Sequence, residues 1–200
     1  MNIIVQKFGG TSVSTEDRRK QVAIKVKEAI ENGFKPIVVV SAMGRKGQPY
    51  ATDTLLTLID DKFKEANRNS KDLLMCCGEI ISSVVVANAL YNEGIEAVPL
   101  TGGQAGIITD DNFCEAEYIS IDIDRLLSVV REGKVPVVTG FQGITKDGYF
   151  TTLGRGGSDT TACILGNAVN AKEIEIYTDV DGIMTADPRI VEDASLIDEI

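Results

Sequence analysis

Three groups of residues in this 200-residue chain have the types and spacing to do chemistry. The longest is TTLGRGGSDTTA, Thr151 to Ala162, in which Arg155 sits among Gly154, Gly156 and Gly157 and is followed by Ser158 and Asp159. Glycines ahead of a helix start let backbone N–H groups approach a ligand, and the helix dipole favours negative charge there. The natural guest is an anion, a phosphate or a carboxylate, which Arg155 can grip with paired hydrogen bonds. Ser158 reads as the N-cap of the helix that follows. A tight strand-to-helix turn with an exposed arginine is the plainer alternative, because short glycine patterns recur in many settings.

The second group is Lys7-Phe8-Gly9-Gly10-Thr11-Ser12, closing an apolar strand at Ile3 to Val5 and preceding a helix. Strand, glycine turn and helix in that order place a phosphate at the carboxyl end of the strand. The lysine precedes the glycines, which excludes a Walker A loop, and a third glycine is missing for the dinucleotide fingerprint. Phosphate contact is favoured over a plain surface role for Lys7. The third group is Gly78-Glu79 inside the apolar run LLMCCGEIISSVVVANAL. A carboxylate among such neighbours must be paired or face a polar cavity. A site is favoured over a structural salt bridge, with Gly78 permitting close approach of a ligand.

The totals narrow the chemistry. There is no histidine, which removes His-based triads, metal ligands and general bases. A net charge of −10 argues against general nucleic-acid or anionic-membrane binding but allows a local basic pocket. Cys76, Cys77, Cys114 and Cys163 match no zinc spacing and read as buried free thiols of a reducing compartment. The first residues carry too short an apolar run for a signal peptide, and no stretch is read as approaching a membrane span. The expectation is a soluble, cytoplasmic protein.

The elements that must hold these groups alternate. Ser14 and Thr15 cap a helix to about Asn32 with Val22, Val26 and Ala29/Ile30 inward; Pro36 to Ser41 is a strand covered on both faces. Thr52-Asp53 starts a helix with Leu55, Leu56 and Ile59 on its apolar face. A second helix runs from Ser70 to Asn92 and is apolar nearly all round, so it should be buried. Ile95 to Leu100 and Val135 to Val138 are strands flanking a helix over Asp122 to Glu132; Asp147-Gly148 turns a hairpin, and Glu173 to Tyr177 is a further strand. The alternation predicts an α/β fold with a mostly parallel sheet.

KFGGTSV, TLGRGGSDTTA and YTDVDGIMTADPRIV, in that order, together with VVSAMG, LTGGQAGIITD and VTGFQG, resemble the aspartate kinases of the amino-acid kinase family over essentially the whole chain. The resemblance implies a three-layer α/β/α sandwich around an open, mostly parallel eight-stranded sheet. It implies ATP-dependent phosphorylation, with Mg2+, of the L-aspartate β-carboxylate to 4-phospho-L-aspartate, the step that opens the route to lysine, threonine and methionine. An ionised carboxylate nucleophile needs no general base, which agrees with the absence of histidine.

By the same resemblance Lys7 stabilises charge on the transferred phosphoryl, aided by the Gly9 and Gly10 amides, with Asp159 orienting Lys7 or joining the metal site. Ser41, Thr52, Glu79, Arg155, Gly156, Gly157 and Ser158 would hold aspartate, Glu79 on its ammonium and Arg155 on a carboxylate. Phe8, Thr178, Asp179 and Arg189, with the backbone from Ile183 to Asp187, would surround the nucleotide; the metal ligands stay open. The resemblance implies that residues 1–200 are a kinase domain incomplete at its C-terminus, without the later lysine that completes the nucleotide site and without the paired ACT domains. A homo-oligomer is implied for the full-length enzyme. The alternatives are another kinase of the family, of acetylglutamate or glutamate type, and a fragment that binds nucleotide or aspartate without turnover.

Overall fold

The apolar run near the start of the chain forms β1 (Ile3–Phe8), buried along its whole length. It extends through Lys7 and Phe8, so the glycine turn begins later than the expected strand end at Val5. The computed structural model describes residues 1–178, 182, 185, 186, 190, 191, 193–195 and 197. After β1 come α1 (Glu16–Glu31), β2 (Lys35–Val40), α2 (Thr52–Leu55) with a 3-10 turn over Leu56–Leu58, α3 (Asp61–Ala66) and α4 (Arg68–Asn92). Then follow β3 (Ala97–Leu100), β4 (Ile107–Thr109), β5 (Tyr118–Ile121), α5 (Asp124–Arg131), β6 (Val135–Thr139), β7 (Gln142–Ile144), β8 (Phe150–Thr152), α6 (Gly157–Ala168) and β9 (Glu173–Tyr177).

Five strands form a parallel sheet in the order β3-β6-β2-β1-β9, with Val5 opposite Ile37 on one side and Ile174 on the other. Strand alternation sends the two halves of each apolar run to opposite faces. Ile3, Val5, Ile37 and Val39 join Leu126 and Val130 of α5 and Leu165 of α6 in one core. Phe8, Val38 and Val40 join Val22 and Val26 of α1 and Val86 and Leu90 of α4 in the other. Helices therefore cover both faces, as the α/β/α expectation required. The sheet differs from the single eight-stranded one: a separate four-stranded mixed sheet, β5-β4-β7-β8, flanks the parallel sheet. In it β4 pairs with β5 and β7 with β8 antiparallel, and β4 with β7 in parallel.

Several local expectations change. The helix expected from Thr52 is one turn long, and Ala51, not Thr52, is its N-cap. Leu55, Leu56 and Ile59 are only partly covered. α4 is long and apolar enough to cross a membrane by length and composition, closer to a span than the sequence reading allowed. It packs instead against the sheet, with Asp72, Glu79, Ser82 and Ser83 among its buried residues. Its outer face is not buried as expected, because Leu73, Val84 and Tyr91 meet solvent. Of the cysteines, all free thiols, only Cys76 is buried and Cys163 is exposed. Desolvation raises the Cys76 thiol pKa, which keeps it in the inert protonated form.

Candidate active site

On β1 the residues facing α6 are Ile3, Val5 and then Lys7, where the apolar pattern gives way at the carboxyl end of the strand. Lys7 Nζ forms an ion pair with Asp159 Oδ1 at 2.7 Å, with the two side chains 10% and 47% exposed. An ion pair open to water on one side contributes at most about 1 kcal/mol to stability, so its main effect is to hold the amine in place. Asp159 occupies the first turn of α6, where the helix dipole favours a negative charge.

The pair opens on a cavity of about 380 Å³ whose wall includes Ser41 just after β2, Thr52 at the start of α2, and Glu79 of α4. Arg155, Gly156, Gly157 and Ser158, entering α6, close the other side. The two catalytic candidates and all seven substrate-binding candidates thus line one space, although they come from five regions of the chain. The N-cap of α6 is Gly156, at φ +76°, and Ser158 lies inside the first turn, contrary to the expected Ser158 cap. A left-handed cap suits glycine, and at Gly157 a β-carbon would stand 2.8 Å from the Phe141 ring. Arg155 is exposed and forms no ion pair among the described residues.

Glu79 is 3% exposed. Its Oε1 accepts from the Ala42 backbone N–H at 3.1 Å, while its Oε2 has no hydrogen-bond partner among the described residues. Burial pushes its pKa up to about 8, against the opposing effect of the Ala42 N–H. No basic side chain pairs with it among the described residues, so the salt-bridge alternative fails. A half-satisfied buried carboxylate costs about 1–3 kcal/mol or more and suits a cationic ligand. Gly78, expected to admit a ligand, instead admits the chain itself: a β-carbon there would meet Ala42 Cβ at 2.8 Å and Tyr50 O at 3.2 Å.

At the other end of Lys7, the Gly9 N–H donates to Tyr177 O at 3.3 Å, and Gly10 O accepts from the Gly44 N–H at 2.9 Å. The Gly9 amide is therefore engaged within the chain, which the sequence reading did not foresee. Phe8 stacks on Tyr177 with ring centroids 4.6 Å apart. Phe8 and the exposed Thr178 border a second cavity of about 370 Å³ beside Thr11 and Ser12. Asp179, Ile183, Asp187 and Arg189 lie outside the described residues. Among the described residues no cluster of three or more acidic or cysteine side chains could cage a metal ion. Asp159 fits the sparse protein ligation of a magnesium ion carried mainly by phosphate oxygens.

The sequence reading missed three residues that build this site. Ala42 supplies the one donor to the Glu79 side chain among the described residues. Phe141, in the cavity wall at φ +71°, receives Thr161 Oγ1 as acceptor for its backbone N–H at 3.0 Å. Its setting between Gly140 and Gln142-Gly143 was the available signal. Asp72, fully buried on α4, accepts from Thr152 N at 3.0 Å, Thr152 Oγ1 at 2.8 Å and Cys114 N at 2.8 Å. It ties the end of β8, and so the Gly154 loop, to the helix that carries Glu79. Nothing in its local sequence distinguishes it from a helix-start acid.

The model of the amino acid kinase family matches residues 2–200. Aspartokinase 1 of Bacillus subtilis is 54% identical over 97% of this chain and 48% of its own length. The chain spans about half the length of the curated relatives it matches. Among solved structures, aspartate kinase from Synechocystis is 43% identical with a TM-score of 0.78, covering 98% of this chain and 32% of that one. Aspartokinase III of E. coli, in complex with aspartate and ADP, is 27% identical with a TM-score of 0.79, covering 98% and 53%.

Proposed function

The chain belongs to the amino acid kinase family, and from that premise we propose that it phosphorylates the β-carboxylate of L-aspartate with ATP, giving 4-phospho-L-aspartate and ADP. The observation that carries the reading is the shared cavity of about 380 Å³, with a buried, half-satisfied carboxylate, an arginine at a helix N-terminus and a lysine held by an aspartate. An amino acid with a second carboxylate matches that set: Glu79 faces the ammonium, while Arg155 and the α6 N-terminus take a carboxylate. Ser41, Thr52 and Ser158 add hydroxyls along the wall. The names of the relatives and the aspartate and ADP in the E. coli structure support the same substrates.

In this reading a β-carboxylate oxygen forms a bond to the γ-phosphorus as the bond to the β,γ-bridging oxygen breaks, and ADP leaves with that electron pair. The nucleophile is ionised at neutral pH, so the residues supply alignment and charge neutralisation rather than a base. Lys7 offsets charge on the transferred phosphoryl and Asp159 keeps its amine aimed there. Asp159 would be the ligand this chain offers to a nucleotide-bound Mg2+, which would supply neutralisation of phosphate charge. Phe8 and Thr178 border the nucleotide side, a role that the family resemblance extends to Asp179, Ile183, Asp187 and Arg189. Residues 1–200 form part of the kinase domain of a cytoplasmic enzyme, homo-oligomeric at full length, that opens lysine, threonine and methionine synthesis.

Trapping the acyl phosphate with hydroxylamine in the presence of MgATP tests the reading, with L-aspartate compared against glutamate and acetylglutamate. An aspartate-specific hydroxamate is expected. Product from another acid alone would reassign the substrate, and aspartate binding without product would make the chain a binder. Lys7→Ala should lower kcat by about 10²–10³, and a near-normal rate would remove Lys7 from its role.

A further inference from the structure

The segment Ala42–Gly44 stands between the two ends of this site and touches both. Ala42 N–H donates to Glu79 Oε1 at 3.1 Å. Two residues on, Gly44 N–H donates to Gly10 O at 2.9 Å. The fit is close on both sides: a β-carbon on Gly10 would clash with Ala42 O, and one on Gly78 would meet Ala42 Cβ at 2.8 Å. Ala42 and Met43 are buried, and Met43 is anchored in the core with Phe8 and Val13. The turn cannot shift on Glu79 without shifting on the Gly9–Gly10 turn.

We infer that Ala42 is a positioning residue that couples the amino-acid end of the site to the nucleotide end through the Ala42–Gly44 turn. The inference rests on the function proposed above. An ammonium group meeting Glu79 Oε2 favours the ionised carboxylate, and a charge-assisted hydrogen bond is roughly twice as strong as a neutral one. The Ala42 N–H is then held harder, and the turn is fixed against the carbonyl of Gly10, whose neighbour Gly9 lies beside Lys7 Nζ. Coupling is reciprocal, so nucleotide that orders the Gly9–Gly10 turn must tighten amino-acid binding by the same factor.

The test is calorimetric titration of L-aspartate into the chain alone and into the chain saturated with MgADP, which allows no turnover. Wild type should bind aspartate about fivefold or more tightly with ADP present. Gly78→Ala, whose methyl pushes on Ala42, should bring that ratio to about 1. Ala42→Gly, which frees the turn but keeps its N–H, should lower the ratio as well and decides the matter if Gly78→Ala does not fold. A ratio of 1 in wild type, or a wild-type ratio in a folded variant, overturns the inference and leaves the proposed function standing. No aspartate binding by wild type under either condition overturns the proposed function and this inference with it.

Discussion

Asp72 and Glu79 lie about two turns apart along α4 and are both buried carboxylates, 0% and 3% exposed, yet their surroundings are opposite. Asp72 accepts three hydrogen bonds, from Thr152 N, Thr152 Oγ1 and Cys114 N, using both oxygens. Among the described residues Glu79 accepts one, from Ala42 N, and leaves Oε2 unpartnered beside a cavity. Desolvation costs the same kind of energy at both positions, so the number of donors decides the outcome. A satisfied carboxylate holds two parts of a fold together. One left half-satisfied costs stability and suits a ligand that brings the missing donor.

The contrast can be tested where its effect is largest, at Asp72. Asp72→Ala leaves two N–H groups and a hydroxyl without their acceptor and should destabilise the chain by about 3 kcal/mol. Thermal unfolding should then show Tm lower by roughly 6–12 °C for a domain of this size. An unchanged Tm would remove Asp72 from its structural role. Next in size is Glu79→Gln, which keeps the shape but cannot ionise when the ligand binds. It should weaken aspartate binding about 30-fold, the scale of a lost charged hydrogen bond, with no fall in Tm at pH 7. A fall in Tm comparable to that of Asp72→Ala would make the two carboxylates alike and end the distinction.

The smallest expected effect is in pH dependence. Glu79 is raised from an ordinary 4.5 to about 8 in the folded chain, so between those values the folded state holds a proton that the unfolded state has released. Its contribution to stability is therefore complete below about pH 4.5, falls as pH rises toward 8, and levels off above that. Urea titrations from pH 5 to 9 should show this slope in wild type and its loss in Glu79→Gln. Aspartate binding at pH 7 should release a proton from Glu79, giving a binding enthalpy that changes with the ionisation enthalpy of the buffer. A buffer-independent enthalpy would mean that Glu79 is already ionised in the free chain.

Much of the site could be read from the chain because its parts are short and contiguous. Lys7 at a strand end before two glycines, and Arg155 among three glycines before a helix, each carry their chemistry within a few residues. Glu79 was legible for a different reason: an acid inside an apolar helix is costly unless something requires it. The hairpin of β4 and β5 was missed, since three residues of β4 and four largely exposed residues of β5 carry too little alternation to recognise. The Gly156 cap was missed because Gly-Gly-Ser-Asp offers several capping residues in a row. Only the positive φ of the backbone selects among them.

The sequence by itself determined the alternation of strands and helices, the glycine turns, and the residue types able to meet phosphate, carboxylate and ammonium groups. These follow from backbone conformation and side-chain chemistry, which act over a few residues. Tertiary structure decided which of those groups meet, that Ala42 and not a basic residue faces Glu79, and that Asp72 is spoken for while Glu79 is open. Those outcomes depend on contacts between residues 37 and 80 positions apart, and the donors concerned include backbone N–H groups. Every non-proline residue carries such a group, so the sequence does not mark the ones that matter.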